Sequence, residues 1–177
     1  SLLFLGAGAV ALRAGTRDMD QLGGLLKRMP RTGVTFFIGA AAIAGVPPLN
    51  GFVSELLIFY AGFDGIVQGS VPVVAATVAA VAALGLIGGL AVACFTKVFG
   101  IVFLGEPRSP MAEQAHEADA LMTGPMLVLA SLCGLIALTS PLILGVFNGI
   151  LPGLTHLSEA ACVFRLDRAA RTLEGFL

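Results

Sequence analysis

Glu55 is the single charged side chain between Arg31 and Asp64, and it follows two consecutive prolines, Pro47 and Pro48, in the stretch VPPLNGFVSELLIFY (residues 46–60). An acid inside so apolar a run is costly, and its default reading is functional. Pro48 has no N–H to donate, its ring excludes the carbonyl four residues back, and it drives the preceding residue out of the helical region. Val46 and Pro47 are therefore expected to be extended, and the helix to stop there. Asn50 and Gly51 supply a turn and an N-cap, after which Phe52 to Phe63 reads as helix again. The result is two half-helices joined by irregular backbone, which survives at membrane depth only inside protein or beside water. Glu55 is expected in the first turn of the second half-helix, where the helix dipole favours the ionised acid while burial favours the neutral one. A carboxyl held between those effects suits repeated loading and unloading of a proton. The competing reading is a solvated carboxylate near an interface that only caps its half-helix.

The other ionisable candidates are weaker. Lys97 follows a long uncharged run and stands just before the polar Glu106-Pro107-Arg108 loop; it is a possible proton relay, or a lysine that snorkels to the headgroups. His116 lies among Glu113, Glu117 and Asp119, a pattern read as a solvated charged loop in preference to a metal site, and His156 reads as an interfacial residue. Cys94, Cys133 and Cys162 are singletons in apolar surroundings without CxxC spacing, so they read as small packing residues. No metal or cofactor site is expected. The sequence offers no residues for flavin, quinone, nickel or iron–sulfur clusters, so any redox chemistry would belong to partner subunits.

The elements that hold these side chains are set by composition. The chain has 177 residues, 57% hydrophobic and 12% charged, with a mean hydropathy of +0.96. These values exceed what a soluble domain of this size needs for its core, and they identify a membrane protein whose first partner is the lipid bilayer. A net charge of -1 leaves no basic field for nucleic acid. The expected fold class is all-α, a polytopic transmembrane bundle with a broken helix at Pro47-Pro48. Spans are expected at 71–104 and 121–150, a broken span at 32–66 and a partial span at 1–12. Residues 1–150 thus form the membrane domain, and 151–177 an amphipathic tail or the lead into a further helix. Pro141 is an expected kink, and Gly85, Gly88 and Gly89 form a small-residue face for close helix approach. The segment from Arg13 to Arg31 carries Arg13, Arg17, Lys27, Arg28 and Arg31 against Asp18 and Asp20, so it should face the cytoplasm. The loop from Asp64 to Ser70 then faces out, and the loop from Gly105 to Ala120 returns inside. The start at Ser1, directly in apolar sequence, suggests a piece of a longer chain.

Four stretches carry a family resemblance: SLLFLGAGAV, GTRDMDQLGGLLKRMP, GVPPLNGFVSELLIFY and TKVFGIVFLGEPRS. Together they resemble the carboxy-terminal part of the antiporter-like subunits shared by respiratory complex I, Mrp cation/proton antiporters and membrane-bound NiFe hydrogenases, with the hydrogenase type most similar. The resemblance covers Ser1 to about Pro110, then thins to the AHEAD loop and one further helix. It implies a membrane domain of inverted helical repeats, each with a broken helix, the break here matching that of the second repeat. It further implies that Glu55 is the proton-exchanging residue of a half-channel and that Pro47, Pro48, Asn50 and Gly51 shape its loop. The implied partners are other membrane and peripheral subunits of a hydrogenase or complex I-like assembly, in the bacterial inner membrane. The same residues would serve an Mrp-type cation/proton antiporter, and a passive membrane scaffold remains the third reading.

Overall fold

The computed structural model describes residues 1–147, 171 and 175. Every regular element among them is helical: α1 (Leu2–Ala14), α2 (Leu25–Arg28), α3 (Pro30–Ile43), α4 (Asn50–Gln68), α5 (Val71–Phe103), α6 (Pro110–Gln114) and α7 (Ala120–Phe147), with a short 3-10 turn at Met19–Gln21. Two of these helices, α5 and α7, are long and apolar enough to cross a membrane. The 33 residues of α5 reach about 50 Å at 1.5 Å per residue, well beyond the hydrocarbon core of a bilayer. None of its most apolar stretch is buried within the protein, as a helix facing lipid or a neighbouring chain requires. α7 continues through Pro125 and Pro141 as one helix. The expected tail at 151–177, with His156 and Cys162, lies outside the described residues apart from Arg171 and Gly175.

The chain divides into two units, 1–44 with 87–133, and 45–86 with 134–177. In the first unit, α1 and α3 pack closely because Gly6 admits the Phe36 ring and Gly39 admits Leu2. Phe36 and Phe103 meet at a ring-centroid distance of 5.2 Å, and Phe99 stacks on Phe103 at the same distance. Val10, Ala14, Leu25 and Val102 close the cluster around them. A second cluster, built on Leu2, Ala9, Met29, Met126 and Ala130, joins α1 to the start of α7.

The polar end of this unit is a rim of connections. The Gly24 N–H donates to the Leu104 carbonyl at 3.0 Å, the Ser109 hydroxyl to the Gln21 carbonyl at 2.7 Å, and Lys27 pairs with Glu106 at 3.0 Å. Ser109 also caps α6, its Oγ accepting from the Ala112 N–H at 3.2 Å with Pro110 at the first helical position.

In the second unit α4 approaches α5 through small residues. A side chain at Gly62 would meet Val81 and Thr77, and one at Gly65 would meet Thr77. Val53, Leu56 and Leu57 of α4 form a small apolar cluster with Ala137. The glycine face expected to receive a neighbour stands open instead: Gly85 and Gly89 have no described atom within 4 Å.

Candidate functional site

The helix break is built earlier in the chain than the prolines alone suggest. α3 ends at Ile43, its cap Ala44 donates back to the Ala40 carbonyl at 3.0 Å, and Gly45 adopts a left-handed conformation with φ of 67°. That conformation costs an L side chain about 1–2 kcal/mol and a glycine nothing. A glycine closing a helix just before proline is a recurrent stop signal. Val46 to Leu49 then form a turn in which the Leu49 N–H donates to the Val46 carbonyl at 3.1 Å across a cis Pro47-Pro48 bond.

Asn50 and Gly51, expected in the connecting loop with Asn50 as cap, are instead the first two residues of α4. Leu49, extended at φ -101° and ψ 162°, holds the cap position without a side-chain bond. The Asn50 side chain is thereby turned from capping to burial, and its Oδ1 is buried with no hydrogen-bond partner among the described residues.

Glu55 is the sixth residue of α4, which moves it from the expected first turn into the second. Because the dipole effect fades beyond the first turn, the electrostatic help once assigned to it is reduced. The neighbourhood of the break supplies a more specific feature. The Glu55 carboxyl folds back onto Gly45, so closely that a Cβ there would overlap one oxygen and the carboxyl carbon. The side chain is half-buried and makes no hydrogen bond or ion pair to another described residue. Pro47, Pro48, Gly45 and Glu55 therefore belong to one place in the second unit, a turn with an acid laid against its backbone. Gly45 is the member that sequence reasoning missed, although a glycine directly ahead of Val46-Pro47-Pro48 was a visible signal.

Lys97 belongs to the first unit. It stands six residues before the end of α5, is exposed, and has no ion-pair partner among the described residues. Cys94 is exposed on the same helix, apart from the packing expected of it, while Cys133 is half-buried on α7. No group of three His, Cys, Asp or Glu residues is placed to hold a metal among the described residues.

The AHEAD loop departs from the expectation of a simply solvated charged loop. The Glu117 carboxylate accepts the Arg31 N–H at 2.7 Å, the Thr32 N–H at 3.3 Å and the Thr32 hydroxyl at 2.6 Å, covering the start of α3. Arg13, at the end of α1, reaches the same loop, pairing with Asp119 at 2.5 Å and with the His116 ring at 3.1 Å.

A family model described as NADH:quinone oxidoreductase/Mrp antiporter, transmembrane, matches residues 1–82, a stretch that contains α1, the break and Glu55. Residues 1–82 are thus similar to this antiporter-like membrane family. Across 90% of its length the chain is 43% identical to hydrogenase-4 component B of Escherichia coli, of which it spans 23%. It is 40% identical to formate hydrogenlyase subunit 3 of the same organism over 86% of the chain and 25% of that protein. Among solved structures, the Mrp complex from Dietzia sp. superposes with a TM-score of 0.66 at 26% identity, covering 80% of this chain and 32% of the matched one. The chain thus spans about a quarter of each of these two curated relatives. The antiporter-like family is a membrane one, and several of its named members are subunits of larger assemblies.

Proposed function

We propose that this chain is the part of a proton-translocating membrane subunit that carries one proton-exchange site, and that the subunit serves a membrane-bound hydrogenase or complex I-like oxidoreductase. The observation that supports it is the Glu55 carboxyl, half-buried, unpaired and laid against Gly45 at the break. An acid so placed stands without a fixed counter-charge among the described residues. The turn 45–49 against which it lies falls outside both helices, and the buried Asn50 Oδ1 needs a donor that a water molecule can supply. The antiporter-like relatives named as hydrogenase, formate hydrogenlyase and NADH-quinone oxidoreductase subunits favour a redox-driven assembly. In this reading Glu55 takes a proton from water on one side of the break and releases it to the other. Lys97 is a relay, and partner subunits supply the electron transfer that drives the cycle in the bacterial inner membrane.

The test is Glu55→Gln in the full-length protein within its assembled complex, reconstituted in vesicles. The amide keeps shape and polarity but cannot exchange a proton, so coupled proton movement falls by about a hundredfold or more while assembly is unchanged. Wild-type proton movement in that variant removes Glu55 from the path.

A second reading, a cation/proton antiporter subunit without a redox partner, draws on one specific finding. The chain is 34% identical over 158 residues to the Na(+)/H(+) antiporter subunit A1 of Staphylococcus aureus. Proton movement in vesicles that follows an imposed sodium or potassium gradient, with no electron donor present, selects that reading.

A further inference from the structure

The contact between Arg13 and His116 has a chemical requirement that the rest of the rim lacks. Nη1 of Arg13 stands 3.1 Å from Nε2 of His116. A guanidinium has five N–H donors, no acceptor, and a charge it keeps at every working pH, so the bond needs a lone pair on Nε2. The imidazole must therefore be neutral, with its proton on Nδ1.

The same guanidinium holds Asp119 through Nη2, with Arg13 82% buried by side chain (18% exposed) and Asp119 75% exposed. Arg13 thus fastens both ends of the segment 116–119 to the end of α1. Between those ends Glu117 is turned the other way and grips the start of α3 through Arg31 and Thr32. One four-residue segment therefore ties α1 to α3, the helix that leads into the break. Of the charged groups nearby, Arg13 comes from α1, Glu113 from α6 and Arg31 from α3, while Glu117 and Asp119 lie on the segment itself.

We propose that His116 makes this tie a pH-sensitive clamp, closed while the ring is neutral and loosened when it takes up a proton. Protonation places an N–H on Nε2 pointing at the Arg13 guanidinium, so a hydrogen bond is replaced by two cations facing each other. The new charge also attracts Asp119, the carboxylate that shares Arg13, and so competes for the remaining ion pair. His116 is exposed, so bulk solvent reaches it, and imidazole is the side chain whose charge ordinarily changes between pH 5 and 8. The sign follows from the geometry. Because the bond exists only with the unprotonated ring, its contribution is present at the upper end of that window and is lost as pH falls. The Glu117 grip on α3 does not involve the ring, so the loss of the His116 bond loosens the hold on α1 and leaves that on α3. This inference stands apart from the role of Glu55, since the clamp is read from its own opening.

The experiment is hydrogen exchange followed by mass spectrometry on residues 112–120 of the full-length protein in lipid nanodiscs, from pH 8 to pH 5.5. Each rate is divided by the chemical exchange rate at that pH. Wild type should open about tenfold more at the acid end, the size of one lost charge-assisted hydrogen bond. His116→Gln, whose Oε1 accepts from Arg13 and takes up no proton, should stay closed throughout. His116→Lys, with a fixed charge, should be open at both ends. A wild-type profile that is flat overturns the proposal. So does a His116→Gln profile that rises as wild type does, because the transition then belongs to Asp119 or Glu117.

Discussion

At the scale of single residues, the break depends on Gly45 as much as on Glu55. Gly45→Ala imposes two costs, the left-handed φ of 67° and the overlap of a new Cβ with the Glu55 carboxyl. The conformational part is about 1–2 kcal/mol, so the thermal midpoint of the purified full-length protein should fall by a few degrees. The second cost displaces the acid itself. Proton movement should therefore drop further than stability, and a variant that loses stability but moves protons at the wild-type rate would show that the carboxyl does not work from this position. The prolines and the acid were legible in the sequence because each acts locally: the consecutive Pro47 and Pro48 withdraw two N–H donors and each disfavours helix at the residue before it, and an ionisable residue in an apolar run announces itself. The contact of the carboxyl with Gly45 was not legible, because it depends on a side-chain direction fixed only once α4 starts at Asn50 and places Glu55 in its second turn.

At the scale of elements, two devices hold the helices, and they differ in how far the sequence reveals them. Glu117 covers the N-terminus of α3 from 85 residues away in the chain, so no local capping pattern near Pro30 could have shown it. Glu117→Ala leaves the Arg31 and Thr32 N–H groups and the Thr32 hydroxyl without their acceptor. The expected cost is about 1–2 kcal/mol, as for other helix caps, and is visible as faster exchange of the first turn of α3. Glu117→Gln keeps one acceptor oxygen and should lose less. The second device is the contact of α4 with α5, where Gly62 leaves room for Val81. A leucine at position 62 overfills that contact and should cost about 1–3 kcal/mol, read as a lower thermal midpoint. The same side chain at Gly85, which has open space around it, should leave the isolated subunit unchanged. The small-residue spacing at Gly85, Gly88 and Gly89 reads in the sequence as a face for close helix approach. Small-residue spacing reports what a helix permits; what it meets is set by the neighbour that packs there.

At the scale of the whole molecule, the decisive forces are hydrocarbon length and the distribution of basic charge. α5 and α7 carry the length, and the lysines and arginines crowd the connections. The segment from Arg13 to Arg31 and the connection from Gly105 to Asp119 meet in one rim, joined by Lys27 with Glu106 and by Arg13 with Asp119. The ion pairs themselves add little, since exposed pairs are worth about 0–1 kcal/mol. The excess of basic charge predicts the orientation, because Lys and Arg near span ends are retained on the cytoplasmic side. The turn at Gly69 and Ser70 lies in a stretch, 32–96, without a lysine or arginine, so the same rule predicts it on the non-cytoplasmic side of the membrane. Single cysteines at Asp20 and Ser70, in full-length protein freed of its other thiols, should therefore react oppositely with a membrane-impermeant maleimide. Asp20→Cys is labelled only in inside-out vesicles and Ser70→Cys only in right-side-out ones. Labelling of both from one side would mean that α4 does not complete the crossing begun at α3, and Glu55 would then be an acid at the membrane surface, with no half-channel to serve.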